Sequence, residues 1–280
     1  MPSRTGTCVV FDGYGSATAK AAEQAKRAQG GSSPTIVFDR GMIATEKQDK
    51  FLRNGANKQR LIMFLVEDLQ LNDMVCSQAD GDADSMIAAT AIAVGRGTRS
   101  PVVLVGNDTD LLILLISEAP LRNQLYMLFK NQPVSMYSIA ELQSVHHDIR
   151  KYLLVFHALT GCDTTSGIFR HTKASSLYLV RKNADYLNVF KEPNSSHVVI
   201  AEAGEMFFLQ MYKATSAVRS LNELRYVMYV KRLKSQALNA DLKLDSLPPT
   251  SAAAALHSYR AYHTVQVRLK TPIIHLPTKT

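Results

Sequence analysis

Six aspartates stand where they could hold a divalent cation and help break a phosphodiester bond: Asp12, Asp80, Asp82, Asp108, Asp110 and Asp163. Asp12 closes the apolar run TCVVFD, and Asp80 and Asp82 follow MVCSQ in ADGDAD. Asp108 and Asp110 follow VVLVG in GNDTD, and Asp163 lies in GCDTTS. In an open α/β sheet, side chains at the carboxyl ends of parallel strands line one crevice. Carboxylates gathered there repel one another unless a cation sits among them. A donor set made only of oxygens suits Mg²⁺ or Mn²⁺ rather than zinc. Two such ions about 3.5–4 Å apart activate a water and stabilise the leaving oxygen of an in-line displacement at phosphorus.

The elements that must position these residues can be read from the hydrophobic pattern. Apolar strand runs alternate with helical periodicity through the front half, the signature of an α/β fold with a mostly parallel sheet flanked by helices. Residues 7–11, 74–77, 102–105, 124–129 and 134–137 read as strands. Residues 17–28, 57–71, 81–94 and 109–116 read as helices, with Gly95 as a stop. Residues 35–38 give a weaker extended signal. Asp80 at a helix start can cap it, and both Asp80 and Asp82 then face the positive end of the helix dipole. Asp84, one turn further on, reads as a solvated acid of the first turn.

Beyond residue 167 the pattern is mainly helical, clearest over 206–212 and 217–233, and Ser251 can cap a final helix. A core over residues 5–165, a helical region over 166–265 and a loose tail over 266–280 follow from this pattern. The tail, with two prolines and no periodicity, contains Arg268. A single strand-end aspartate is commonly a cap or turn residue. The ordered combination is far more specific than any one motif.

Composition limits the alternatives. The 280 residues are 46% hydrophobic, enough for one substantial core plus a helical appendage. The longest apolar run, 111–116, is too short to span a bilayer, so no membrane partner is expected. The start of the chain has no secretory pattern, and Cys8, Cys76 and Cys162 read as reduced thiols of an intracellular protein. Net charge is +8, yet residues 61–120 hold nine Asp/Glu against two Arg/Lys. An acidic pocket in a basic body fits a protein that holds cations and grips a polyanion.

GYGSATAK lacks the Gly-Lys-Ser/Thr ending of a nucleotide-binding phosphate loop. A dehalogenase-type phosphatase needs an aspartate two residues after Asp12, where Tyr14 stands. His146, His147 and His157 have no metal-site spacing and read as helix residues, His157 partly buried.

Taken in order, FDGYGSATAKAAEQAKR, ADGDADSMIAATA, VLVGNDTDLLILL and HALTGCDTTSGIF resemble the flap endonucleases and related structure-specific 5′-nucleases of the PIN-domain-like superfamily, over about residues 5–215. The runs HALTGCDTTS and LPPTSAAA are similar to a group of uncharacterised animal proteins. The resemblance implies that Asp12 and Asp82, with Asp80 alongside, help hold one Mg²⁺ or Mn²⁺, and Asp108, Asp110 and Asp163 a second. It implies that Lys20 and Arg27, with Lys26, face the scissile phosphate, and that the partner is nucleic acid, DNA ahead of RNA.

Three departures accompany it. Aspartate replaces the family's usual glutamate at 80 and 82. A first strand with its own carboxylate is expected before Asp12 and is not seen. Of the glycines in the family's DNA-binding hairpin only Gly167 remains, leaving Arg170 and Lys173 as side-chain contacts. Two functions follow: a metal-dependent nuclease, or a non-catalytic relative that binds nucleic acid or protein.

Overall fold

A computed structural model describes residues 6–13, 34–43, 45–80, 83–181, 184–235 and 244–269. The expected helix over 17–28, with Lys20, Lys26 and Arg27, lies outside the described residues, as does Asp82. The described residues fall into two compact units, one up to Thr98 and one from Arg99 onward.

In the first unit, β1 (Cys8–Phe11) pairs in parallel with β2 (Val75–Gln78), with Phe11 opposite Gln78. Between them come α1 (Gln48–Arg53) and α2 (Gly55–Gln70). The Asn54 side chain caps α2 by accepting from Ala56 N and Asn57 N, satisfying two of the donors every helix start leaves open. Asn57 is fully buried because it serves as a bracket: its Oδ1 accepts from Ile36 N at 2.7 Å and its Nδ2 donates to Pro34 O at 3.0 Å. Residues 35–38 are therefore held as irregular chain rather than as a strand. Phe38 meets Phe51 and Phe64 edge-on at 5.2 and 5.7 Å, with the Arg60 guanidinium over its ring.

Helix α3 (Asp84–Gly97) returns from β2 and buries Ala88, Thr90 and Ile92. It runs through Gly95 instead of stopping there. Gly95 does not take the positive φ of a helix-ending glycine, so the helix continues past it.

In the second unit, β3 (Val102–Val105) pairs in parallel with β4 (Leu125–Phe129), and β4 pairs antiparallel with β5 (Ser135–Ser138). Helix α4 (Thr109–Glu118) follows β3, and α5 (Ile139–Val145) follows β5 with Ser138 as its cap. Helix α6 (Leu153–Thr160) is buried at all eight positions; a helix apolar all round must lie inside a core. Two one-turn helices, α7 (Lys173–Ser176) and α8 (Tyr178–Arg181), lead to α9 (His197–Met211), α10 (Leu221–Ser235) and α11 (Ser251–Leu269). The protein is thus α/β, with parallel strand pairing and a helical C-terminal region.

Helix α11 lies against both α6 and α9. It continues to Leu269, so the start of the expected tail is helical, and Val265 and Arg268 are buried on its inner face. Among the described residues no helix is long and apolar enough to cross a membrane.

The α9–α11 crossing depends on Gly204. A Cβ there would overlap Ser258 Oγ and lie 2.7 Å from Ser258 Cβ. Ser258 is fully buried, its hydroxyl donating to Ala254 O. Gly204→Ala is expected to cost about 1–3 kcal/mol through overpacking. Denaturant midpoints check this, and adding Ser258→Gly should recover part of the loss.

Candidate functional site

The two units each carry part of the aspartate series. In the first unit, parallel pairing sets the carboxyl ends of β1 and β2 side by side. Asp12 follows β1, and its Oδ1 accepts from Ala83 N at 3.1 Å, just before α3. Its carbonyl accepts from Gln78 Nε2 at 3.0 Å, and Gln78 exchanges amide hydrogen bonds with Gln59 at 2.8 and 2.9 Å. Residues 68 positions apart in sequence, Asp12 and Asp80, are thereby brought to the same strand ends.

Gly13 is required there. A Cβ on it would overlap Ala79 O and lie 2.6 Å from the carbonyl carbon of Asp80. The resulting open cleft, about 580 Å³, is lined by Gly13, Gln59, Gln78, Ala79, Asp80 and the start of α2. Asp80 is exposed on its rim. Asp84, expected as a solvated acid, is instead 8% exposed at the first position of α3, where the helix dipole favours its charge. The cleft lining offers the Asp80 carboxylate and the Gln59 and Gln78 amides, which bond to each other; among the described residues the acids here do not form a group of three that could hold an ion.

In the second unit the aspartates diverge in role. Asp108 caps α4, its Oδ1 accepting from Asp110 N at 2.8 Å. Asp110, in the first turn of the helix, is 6% exposed. Its Oδ1 lies 2.7 Å from His157 Nε2, and its Oδ2 accepts from Arg268 Nη2. Burial alone would raise the Asp110 carboxyl, but contact with His157, its charge and then that of Arg268 outweigh this and hold it well below the usual carboxylate range. Asp110 therefore does not fit the expected Mg²⁺ ligand set: each oxygen already faces a cationic or cation-capable group. His157, expected to be partly buried, is 1% exposed.

The GCDTTS turn lies next to this group. Gly161 has φ +110°, a conformation that favours glycine, and a Cβ there would lie 2.7 Å from Gly167 Cα. Thr165 Oγ1 donates to Ala158 O and accepts from Cys162 N. Asp163 is exposed on this turn. Arg170 and Lys173 are both exposed, Arg170 with its guanidinium over the Phe169 ring. The tight turn also brings Cys162 close to Asp110 and His157. One donor atom from each of the three lies within 4.8 Å of the others.

Sequence reasoning missed this cluster, having found no metal-site spacing for His157 or Cys162 and having placed Arg268 in a loose tail. A sequence signal that could have found Arg268 is the run from 251 to 271 without glycine or proline; it folds as one helix to Leu269 and carries Arg268 inward. Neither a family model nor a curated protein matches this sequence.

Proposed function

We propose that the chain is a divalent-cation-dependent phosphodiester hydrolase of the nuclease type, related to the flap endonuclease group of PIN-like proteins and acting on nucleic acid. The supporting observation is the juxtaposition of Asp12 with the residues around Asp80 at the ends of β1 and β2, tied by the Ala83 N–H to Asp12 Oδ1. Asp12 and Asp80, with Asp82 next in sequence, would hold Mg²⁺ or Mn²⁺. Bound there, the ion would supply a more acidic water and offset phosphoryl charge. Gly13 keeps the cleft wall low beside these carboxylates, and the Gln59–Gln78 pair fixes the floor. Lys20, Lys26 and Arg27, close after Asp12 in sequence, are assigned to the phosphate backbone. Exposed Arg170 and Lys173 of the second unit are assigned to nucleic-acid phosphates by the same argument. Three free thiols support a reducing, intracellular setting.

Labelled single-stranded and branched DNA, incubated with the protein in Mn²⁺, should be cut, and EDTA should stop it. Asp12→Asn is expected to slow cleavage by about 10²-fold or more, the scale of losing one group that stabilises developing charge. Cleavage that ignores EDTA or the substitution rejects the reading.

A second reading is favoured by one observation: Asp110 is committed to His157 and Arg268, which leaves fewer carboxylates for a second ion. On that reading the protein binds nucleic acid without cutting it. Salt-dependent DNA binding with no product in Mn²⁺ would select it.

A further inference from the structure

We propose that Asp110, His157 and Cys162, all in the second unit, form a transition-metal site of the zinc class, a proposal independent of the phosphodiesterase reading. A carboxylate oxygen, an imidazole nitrogen and a thiol sulfur come within 4.8 Å of one another, drawn from α4, α6 and the turn after α6. Soft and borderline donors in this mix select zinc, cobalt or nickel over magnesium.

Asp110 and His157 form a buried ion pair when the imidazole is protonated, and with Cys162 they converge closely enough to share an ion when it is not. His157 is 1% exposed, and among the described residues neither of its ring nitrogens has a hydrogen-bond partner of good geometry. Nε2 lies 2.7 Å from Asp110 Oδ1, but not along the ring N–H direction. A buried imidazole in that condition is unusual, because buried polar atoms ordinarily find partners. A cation accepting its lone pair resolves the deficit.

The outer contacts also match what metal ligands require. Arg268 holds Asp110 Oδ2, which orients the carboxylate and leaves Oδ1 toward His157. The hydroxyl oxygens of Thr164 and Thr165 lie 3.3 and 3.2 Å from Cys162 Sγ and fix its position, the Thr165 proton itself going to Ala158 O. Such supporting contacts orient ligands and raise affinity. Asp110 and the Cys162 thiolate supply two negative charges against the ion, leaving Arg268 as the excess. Three protein donors leave a fourth position open, and Cys162 is only half-buried, the pattern of an accessible rather than a closed zinc site.

The test is cobalt titration of the full chain after chelator treatment and desalting. One equivalent of Co²⁺ should produce a near-ultraviolet thiolate-to-cobalt charge-transfer band, and Zn²⁺ should abolish it. Cys162→Ser changes a half-buried turn residue by one atom. It should remove the band and weaken Zn²⁺ binding in equilibrium dialysis by more than about 10-fold, more than the loss of an outer contact typically costs at its lower end. The double variant Cys8→Ser/Cys76→Ser should keep the band. Folded wild-type protein without the band, or a band that survives Cys162→Ser, overturns the site and leaves Asp110, His157 and Arg268 as a purely structural ion group.

Discussion

Replacing Arg268 with alanine is expected to destabilise the second unit by about 3–5 kcal/mol, the cost of leaving one partner of a buried ion pair uncompensated. The side chains of Asp110 and Arg268 are 8% and 4% exposed, so water cannot take over the lost contact. Arg268 lies 158 residues from Asp110 in sequence. Its loss frees the last turn of α11 from the first turn of α4. Urea denaturation in the presence of a chelator, which removes any contribution from bound metal, measures the effect. The double variant Asp110→Asn/Arg268→Ala should lose less than the two single losses added together, because the two residues share one interaction. Simple additivity would reject the pairing.

The same pair sets an acid dependence. The folded-state carboxyl of Asp110 is depressed, while an unfolded aspartate titrates near about 3.9. The charge on Asp110 therefore contributes stability that is fully present above the unfolded value and lost as pH falls through it toward the folded one. Wild type should lose stability between about pH 5 and the acid limit more steeply than Asp110→Asn. Equal slopes would show that Asp110 is not held ionised by His157 and Arg268.

Phe207→Ala is expected to cost a similar amount, about 3–5 kcal/mol, through lost burial plus the cavity left behind. Phe207 is fully buried, edge-on to Phe156 at 6.3 Å and to Phe208 at 5.6 Å. Phe156 precedes His157 on α6, and Phe208 meets the His257 ring of α11 at 5.5 Å. The cavity would open beneath the two helices that carry His157 and Arg268. Phe207→Leu retains more volume and should cost less. A shift in denaturant midpoint with an unchanged slope would place the effect on stability rather than on the compactness of the unfolded chain.

The elements that could be read from the sequence were those with a strong local period. The strands after residues 7, 74, 102, 124 and 134 each lie within one or two residues of β1 to β5, because short β-branched or apolar runs bounded by turns carry their own signal. Ser138 caps α5 as expected, whereas α11 is capped one residue before Ser251, by Thr250, whose Oγ1 accepts from Ala253 N while the Ser251 hydroxyl donates to Glu205. The stop at Gly95 failed because glycine permits a left-handed turn without requiring one.

The site divided in the same way. Asp12 and Asp80 were legible as strand-end acids, and parallel pairing sets those strand ends side by side. Asp108 and Asp110 look equivalent in GNDTD, yet one is a half-buried cap and the other a buried ion partner. Two residues of helical rotation separate those fates, and no pattern in a strand-to-helix turn reveals which side meets the core. Asp84 was misjudged for that reason too.

From the order of residues alone came the α/β class, the strand ends and the acids that follow them, since propensity and periodicity act within a few positions; the cap expected from Asp80 is not made, because α3 begins at Asp84 and Ala83 N donates to Asp12 instead. The folded chain alone decided that Arg268 turns inward, that His157 is almost wholly withdrawn from water, and that Cys162 is brought close to both His157 and Asp110. Those outcomes depend on α6, α9 and α11 filling one core. The free energy of burying a charge beside its partner is set by groups more than a hundred residues apart, which no local reading of the chain can weigh.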